Sequence, residues 1–68
     1  MNLMDKETLL KAQLDQLRLE HRRLDEEIAD MTTRGTDPLT MTRLKKQKLA
    51  IKDRIARIED RLYPDIIA

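Results

Sequence analysis

His21 and Lys48 are the two side chains of this sequence whose type and position could do chemistry. Each interrupts a run of leucines and isoleucines spaced by threes and fours, so each is expected on an apolar helix face. A histidine there could act as a pH switch or a metal ligand, and a desolvated lysine could act in catalysis. Metal sites usually need three or four ligands, however, and two helices enclose no desolvating pocket. We therefore interpret His21 as hydrogen-bonding locally to Asp25, and Lys48 as fixing helix register with its ammonium at Asp25 or in solvent.

The second half of the chain is basic, which could serve to follow a phosphate backbone. The candidate nucleic-acid contacts are three residues expected on its outer side: Arg43, Lys46 and Arg57. Other basic residues are expected to face an acidic helix, and the whole chain has a net charge of only +1. Dedicated nucleic-acid domains are usually far more basic on one face, so nucleic-acid binding is the alternative function here.

The residue types that most enzymes use are missing from the sequence. It contains no Cys and no Ser, so the usual thiol and hydroxyl nucleophiles are absent. Its single Gly excludes a glycine-rich phosphate loop. The carboxylates are expected on solvated helix faces, where nothing would separate their pKa values. The sequence therefore predicts no enzyme, no cofactor and no metal site.

Two helices must position these residues, because two apolar stripes with heptad spacing flank a short break in the chain. We call the two stripes together the seam. Its fourteen members are Leu10, Leu14, Leu17, His21, Leu24, Ile28, Met31, Met41, Leu44, Lys48, Ile51, Ile55, Ile58 and Leu62. The pattern predicts an all-α fold, an antiparallel two-helix hairpin resembling a coiled coil. Residues 1–68 form one domain, with helices at about 3–33 and 38–62, a turn at about 34–37 and a tail at 63–68.

The predicted helix ends follow from local chemistry. Asn2 or Asp5 can cap the first helix, and Gly35 can adopt the left-handed conformation that commonly closes one. Asp37 and the proline after it have the types preferred at an N-cap and at the first helical position. Pro64 disfavours helical geometry at the residue before it, which ends the second helix.

The short turn makes the helices antiparallel neighbours and sets a register for the seam. In that register Leu24 faces Lys48, and His21 faces Ile51. Glu20 is expected near Arg54. Residues Asn2–Thr33 carry a net charge of −3 and residues Pro38–Leu62 a net charge of +5, so the opposed helices attract. Each exposed ion pair is worth only about 0.2–1 kcal/mol, however, so turn chemistry fixes the pairing more firmly than charge does.

Two segments of the sequence resemble the YdcH-like proteins, a family of short bacterial helical hairpins of unknown function. The first is carried by Leu17, Glu20-His21, Leu24-Asp25 and Ile28. The second runs Leu44-Lys45-Lys46-Gln47-Lys48-Leu49, then Ile51-Lys52-Asp53 and Ile55. The resemblance covers about Leu14 to Leu62, with Arg54 as a departure where many relatives are expected to have Glu. It implies a hairpin that associates through apolar faces, and it supplies no catalytic residue or substrate.

The size of the chain predicts self-association. A chain of 68 residues with one apolar seam seldom holds together without disulfides, metal or a partner, and the absence of Cys excludes disulfides. We expect a homodimer or tetramer in which two hairpins form a four-helix bundle. The candidate oligomer contacts are three leucines outside the seam: Leu9, Leu19 and Leu49.

The predicted function is a protein–protein interaction or adaptor module. Its partners would be other copies of the chain and an unidentified protein, recognised by helix packing. No apolar run approaches the length of about 18 residues needed to span a membrane, and no export signal is found, so we expect a cytoplasmic protein.

Overall fold

The computed structural model describes residues 5–64, which form two α-helices and no strand. Helix α1 spans Lys6–Arg34, and helix α2 spans Pro38–Leu62. Residues 35–37 connect them. The prediction that the first helix starts near residue 3, and most of the predicted tail, lie outside the described residues.

Asp5 caps the beginning of α1. Its backbone is extended, with φ −81° and ψ 175°, and its carboxylate accepts a hydrogen bond of 2.7 Å from the Thr8 amide. Glu7 adds a negative charge in the first turn, where the helix dipole favours one.

Helix α1 continues to Arg34, one residue past its predicted end. The hydroxyls of Thr32 and Thr33 donate to the carbonyls of Ile28 and Ala29 at 2.7 and 3.1 Å. Both threonines are helical, although β-branched residues weaken helices. Gly35 then ends α1 with φ 87° and ψ 136°, and its amide donates to a carbonyl in the last turn.

Asp37 caps α2, and Pro38 is its first residue. The Asp37 carboxylate accepts from the Thr40 amide at 3.1 Å and from the Thr40 hydroxyl at 2.7 Å. At the other end the Tyr63 amide donates to the Glu59 carbonyl at 2.7 Å, and the chain leaves the helix. Pro at the first helical position costs no hydrogen bond, so the Asp-Pro pair starts α2 efficiently.

The two helices pack against each other along their length. Within residues 5–64, two ion pairs connect them, Arg18 with Glu59 and Asp25 with Lys48. The earlier residue in α1 pairs with the later residue in α2, which is the order expected of an antiparallel pair. The buried core consists of Leu14, Leu17 and Leu24 from α1 and Leu44 from α2.

Candidate interhelical site

A polar cluster lies at the interface between the helices, formed by His21, Asp25 and Lys48. Asp25 is central: its Oδ1 contacts the Lys48 ammonium, and its Oδ2 lies 3.5 Å from His21 Nδ1. His21 and Asp25 are one turn apart on α1, whereas Lys48 belongs to α2. The cluster therefore ties the helices together through a single carboxylate.

The three side chains of this cluster differ in exposure. The His21 side chain is 26% exposed, that of Lys48 is 38% exposed and that of Asp25 is 44% exposed. The hydrogen bond from the Lys48 ammonium, and then its positive charge, lower the pKa of Asp25 against the opposing effect of partial desolvation. Asp25 is therefore a solvated anion, which suits an ion pair better than acid–base catalysis.

The second ring nitrogen of His21 is the unpaired member of this cluster. Nε2 is buried and has no hydrogen-bond partner within residues 5–64. A buried polar atom without a partner costs stability, on the order of 1–3 kcal/mol. Across the same described residues, no group of three or more His, Asp or Glu side chains gathers in a metal-binding arrangement.

A groove of about 480 Å³ lies between the helices. Its α1 wall consists of Glu20, Arg23 and Glu27, and its α2 wall consists of Gln47, Ala50 and Arg54. Two seam residues, Leu24 and Ile51, complete its lining. We call this the interhelical groove. It offers apolar surface between two charged walls, a combination that suits a packed helix better than a small polar substrate.

The seam residues lie where the helices meet, but most of them are incompletely covered. Four are buried: Leu14, Leu17, Leu24 and Leu44. The other ten are partly exposed: Leu10, His21, Ile28, Met31, Met41, Lys48, Ile51, Ile55, Ile58 and Leu62. One helix shields only one side of the other, so a seam of this length stays open along its edges.

The leucines predicted as oligomer contacts are exposed and do not line the groove. Leu9 is 49% exposed, Leu19 56% and Leu49 67%. Leu39 and Tyr63 are similarly exposed, and neither was among the predicted oligomer contacts. Leu39 lies in the first turn of α2, and Tyr63 directly follows the last residue of α2. Neither position belongs to the heptad pattern of the seam.

The predicted nucleic-acid contacts Arg43, Lys46 and Arg57 are all exposed on α2. Arg57 pairs with Asp53 one turn away at 3.1 Å, which offsets its charge. Between residues 5 and 64 we find no ion pair for Arg43 or Lys46. Among the described residues, the charges of Arg43 and Lys46 are therefore not offset by an ion pair, whereas the charge of Arg57 is offset by Asp53.

The ion pair between Arg18 and Glu59 is a contact that sequence reasoning missed. The Arg18 guanidinium donates to Glu59 Oε2 at 2.9 Å. A signal for it was present, because Arg18 directly follows Leu17 and Glu59 directly follows Ile58, two seam residues on neighbouring levels of the predicted register. Glu20 and Arg54 share the groove, as the register predicted, but they form no ion pair within the described chain.

Neither helix is long and apolar enough to cross a membrane within the part of the chain that the structure describes. A family model described as "Protein of unknown function (DUF465)" matches residues 14–59, which is more than half of the chain. No curated protein and no solved structure matches the sequence.

Proposed function

The chain belongs to the DUF465 family, whose function is unknown, and we propose from its geometry that it is a self-associating protein–protein interaction or adaptor module. Membership of the family brings no activity or partner with it. We further propose that the relationship extends to the YdcH-like proteins, as the two sequence motifs indicated; the family match is compatible with this.

The incomplete cover of the seam is the observation that carries this proposal. Eight apolar seam residues, besides His21 and Lys48, remain partly exposed although two long helices already pack together. Exposed apolar surface on this scale favours packing against a further helix. The antiparallel hairpin would then act as one half of a four-helix bundle, with a homodimer or tetramer as its assembled state.

We propose no catalytic activity for the chain. The sequence lacks Ser and Cys, and the Asp25 carboxylate at the helix interface is kept ionised by Lys48. The cytoplasm is the proposed location, because no apolar run of the sequence approaches the length needed to span a membrane.

The direct experiment is capture of partners by the tagged chain from a bacterial lysate, with and without nuclease, at low and physiological salt. An interaction module should recover one partner protein in near-stoichiometric yield, insensitive to both treatments, because apolar helix packing depends little on salt. The matched control is the tagged Ile51→Glu variant, which places a charge in the groove and should lose that partner. Recovery of no protein by either form would count against the proposal.

Binding of nucleic acid is the second candidate, favoured by Arg43 and Lys46, which are exposed and form no ion pair with any other described residue. Its signature is different, because release of counterions makes phosphate binding fall steeply between low and physiological salt. The double variant Arg43→Gln/Lys46→Gln should then weaken the salt-sensitive binding. Arg57→Gln should weaken it less, since Asp53 already offsets that charge.

A further inference from the structure

We propose that a second copy of this chain occupies the interhelical groove, with α1 of each copy lying on α2 of the other. This rests on the proposed function, since it names the partner in self-association. The dimer's two-fold axis would run parallel to the helices, between the two grooves. Each Glu20 would then meet the partner's Arg54, and the leucines outside the groove would take no part.

The charges of the groove walls support this arrangement. The α1 wall carries Glu20 and Glu27 around one basic residue, whereas the α2 wall carries Arg54 as its charged residue. One wall therefore has net negative charge and the other net positive charge. A surface with this division complements itself when α1 faces α2, because opposite walls then meet across the two-fold axis.

The heights of Glu20 and Arg54 along the hairpin match. Arg18 pairs with Glu59, and Asp25 pairs with Lys48. Glu20 lies between Arg18 and Asp25 in α1, and Arg54 lies between Lys48 and Glu59 in α2, so their heights agree to within about one helical turn. A two-fold axis parallel to the helices preserves height. The partner's Arg54 would therefore arrive within about one turn of Glu20, in reach of its long side chain.

Neither Glu20 nor Arg54 forms an ion pair within residues 5–64, although both line the same groove. Other charged residues at comparable positions do find partners, as Arg18 does with Glu59 at 2.9 Å. Two opposite charges that stay apart across a groove are available to a second copy. A two-fold axis perpendicular to the helices would instead place α1 on α1 and bring like charges together.

The surface area of the chain leaves room for this interface. Its accessible surface is 5983 Å² at a mass of 8.1 kDa. A compact monomer of that mass exposes about 4500 Å². The excess is larger than the roughly 800 Å² that each partner buries in a standard interface. Packing groove on groove would cover the exposed edge of Ile51, which lies beside the buried Leu24 between the charged walls.

The test uses the full chain and two charge reversals, Glu20→Arg and Arg54→Glu. Each variant alone places like charges at both contacts of its homodimer, so its dissociation constant should rise roughly tenfold at low salt. An equimolar mixture restores both contacts, since each chain supplies what the other lacks. We expect the mixture to form heterodimers with close to wild-type affinity, measured by sedimentation equilibrium and by native mass spectrometry.

Matched controls separate the groove from the rest of the surface. Glu26→Arg and Arg61→Glu make the same charge changes on exposed positions of α1 and α2 outside the groove lining, and should leave the dimer unchanged. The groove arrangement does not use the leucines predicted as oligomer contacts, so Leu19→Glu and Leu49→Glu should also leave the dimer unchanged, whereas the sequence prediction expects them to weaken it. Circular dichroism of every variant checks that the helices are retained.

Three results would overturn the inference. A wild-type chain that stays monomeric at every concentration would refute the groove-to-groove dimer. Capture of a partner protein from lysate in that case would still support the proposed interaction module. Mixing that fails to restore the dimer, while the double reversal in one chain does restore it, would place the Glu20–Arg54 pair within a chain. Dissociation by Leu49→Glu but not by the groove reversals would move the contact to the outer face.

Discussion

The carboxylate of Asp25 in α1 contacts the ammonium of Lys48 in α2, and this ion pair ties the helices together near the middle of the seam. Lys48 occupies a seam position, where its stem can lie along apolar neighbours while the ammonium reaches the edge. The same carboxylate lies 3.5 Å from His21 Nδ1. Three polar groups thus interrupt an otherwise apolar interface at one level.

Lys48→Leu should raise the melting temperature or change the size of the oligomer. The lost ion pair is partly exposed and worth about 0–1 kcal/mol, whereas leucine fills the seam with apolar surface. A net gain of about 1 kcal/mol corresponds to a rise of roughly 4–8 °C in a domain of this size. Thermal melting and sedimentation measure both effects. Lys52→Leu, on the exposed surface, is the control and should give no rise; unfolding of the Lys48 variant would refute the structural role.

Asp25 should make stability depend on pH at the acidic end. Its pKa is lowered in the folded state by the hydrogen bond and charge of Lys48. A carboxyl with a lowered pKa stabilises the fold above its unfolded pKa of about 3.9 and loses that effect as the pH falls through the folded value. Asp25→Asn should therefore be less stable than the wild type at pH 7, with the gap closing in acid.

Urea unfolding of the Asn variant and the wild type at a series of pH values measures that gap. The caps Asp5 and Asp37 also have lowered pKa values, through hydrogen bonds from Thr8 and Thr40, but both proteins retain them. Their contribution cancels in the comparison. A gap that stays constant down to pH 2 would show that the Asp25 charge does not stabilise the fold.

The two helices could be predicted from the sequence because each rule acts over a few residues. Apolar residues at spacings of three and four define a helix face. Asp37 followed by proline is typical of a helix start, with Asp as the N-cap and Pro as the first helical residue. The end of α1 was less predictable. Thr32 and Thr33 have low helix propensity, but their hydroxyls bond back to carbonyls one turn earlier, and the helix continues to Arg34.

The partners of the charged residues could be predicted only in part. The sequence pattern predicted the Lys48 ammonium at Asp25 or in solvent, and the structure shows the contact with Asp25. The pair of Arg18 with Glu59 was not predicted. The interhelical groove was not predicted at all. It depends on how far the helices separate between Leu24 and Ile51, which is set by packing of the whole seam.

Gly35→Ala should destabilise the chain by about 1–3 kcal/mol through backbone strain. Gly35 has φ 87° and ψ 136°, a conformation that residues with a Cβ rarely adopt. A Cβ added there would meet no atom within 4 Å, so a steric clash is not the cause. Thr36→Ala, the neighbouring change in the same connection, should cost less than about 0.5 kcal/mol. Equal urea midpoints for the two variants would contradict the strain argument.

Leu14→Ala should be severely destabilising because Leu14 is the best-covered side chain of the small core, with 2% of its surface exposed. Truncating a buried leucine removes apolar contacts and leaves a cavity, at a cost of about 2–5 kcal/mol. That is a large share of the roughly 5–15 kcal/mol that stabilises an ordinary domain. Leu39→Ala removes the same atoms from a side chain that is 67% exposed, and should cost less than about 0.5 kcal/mol.

Both leucine variants should be unfolded in urea at one protomer concentration, because self-association makes apparent stability depend on concentration. Repeating the measurement at a tenfold higher concentration separates the two contributions. A loss at Leu14 that belongs to the hairpin core persists at both concentrations, whereas a loss that acts through assembly shrinks as concentration rises. Equal losses at Leu14 and Leu39 would mean that burial within one hairpin does not determine stability, and that Leu39 is covered in the assembled protein.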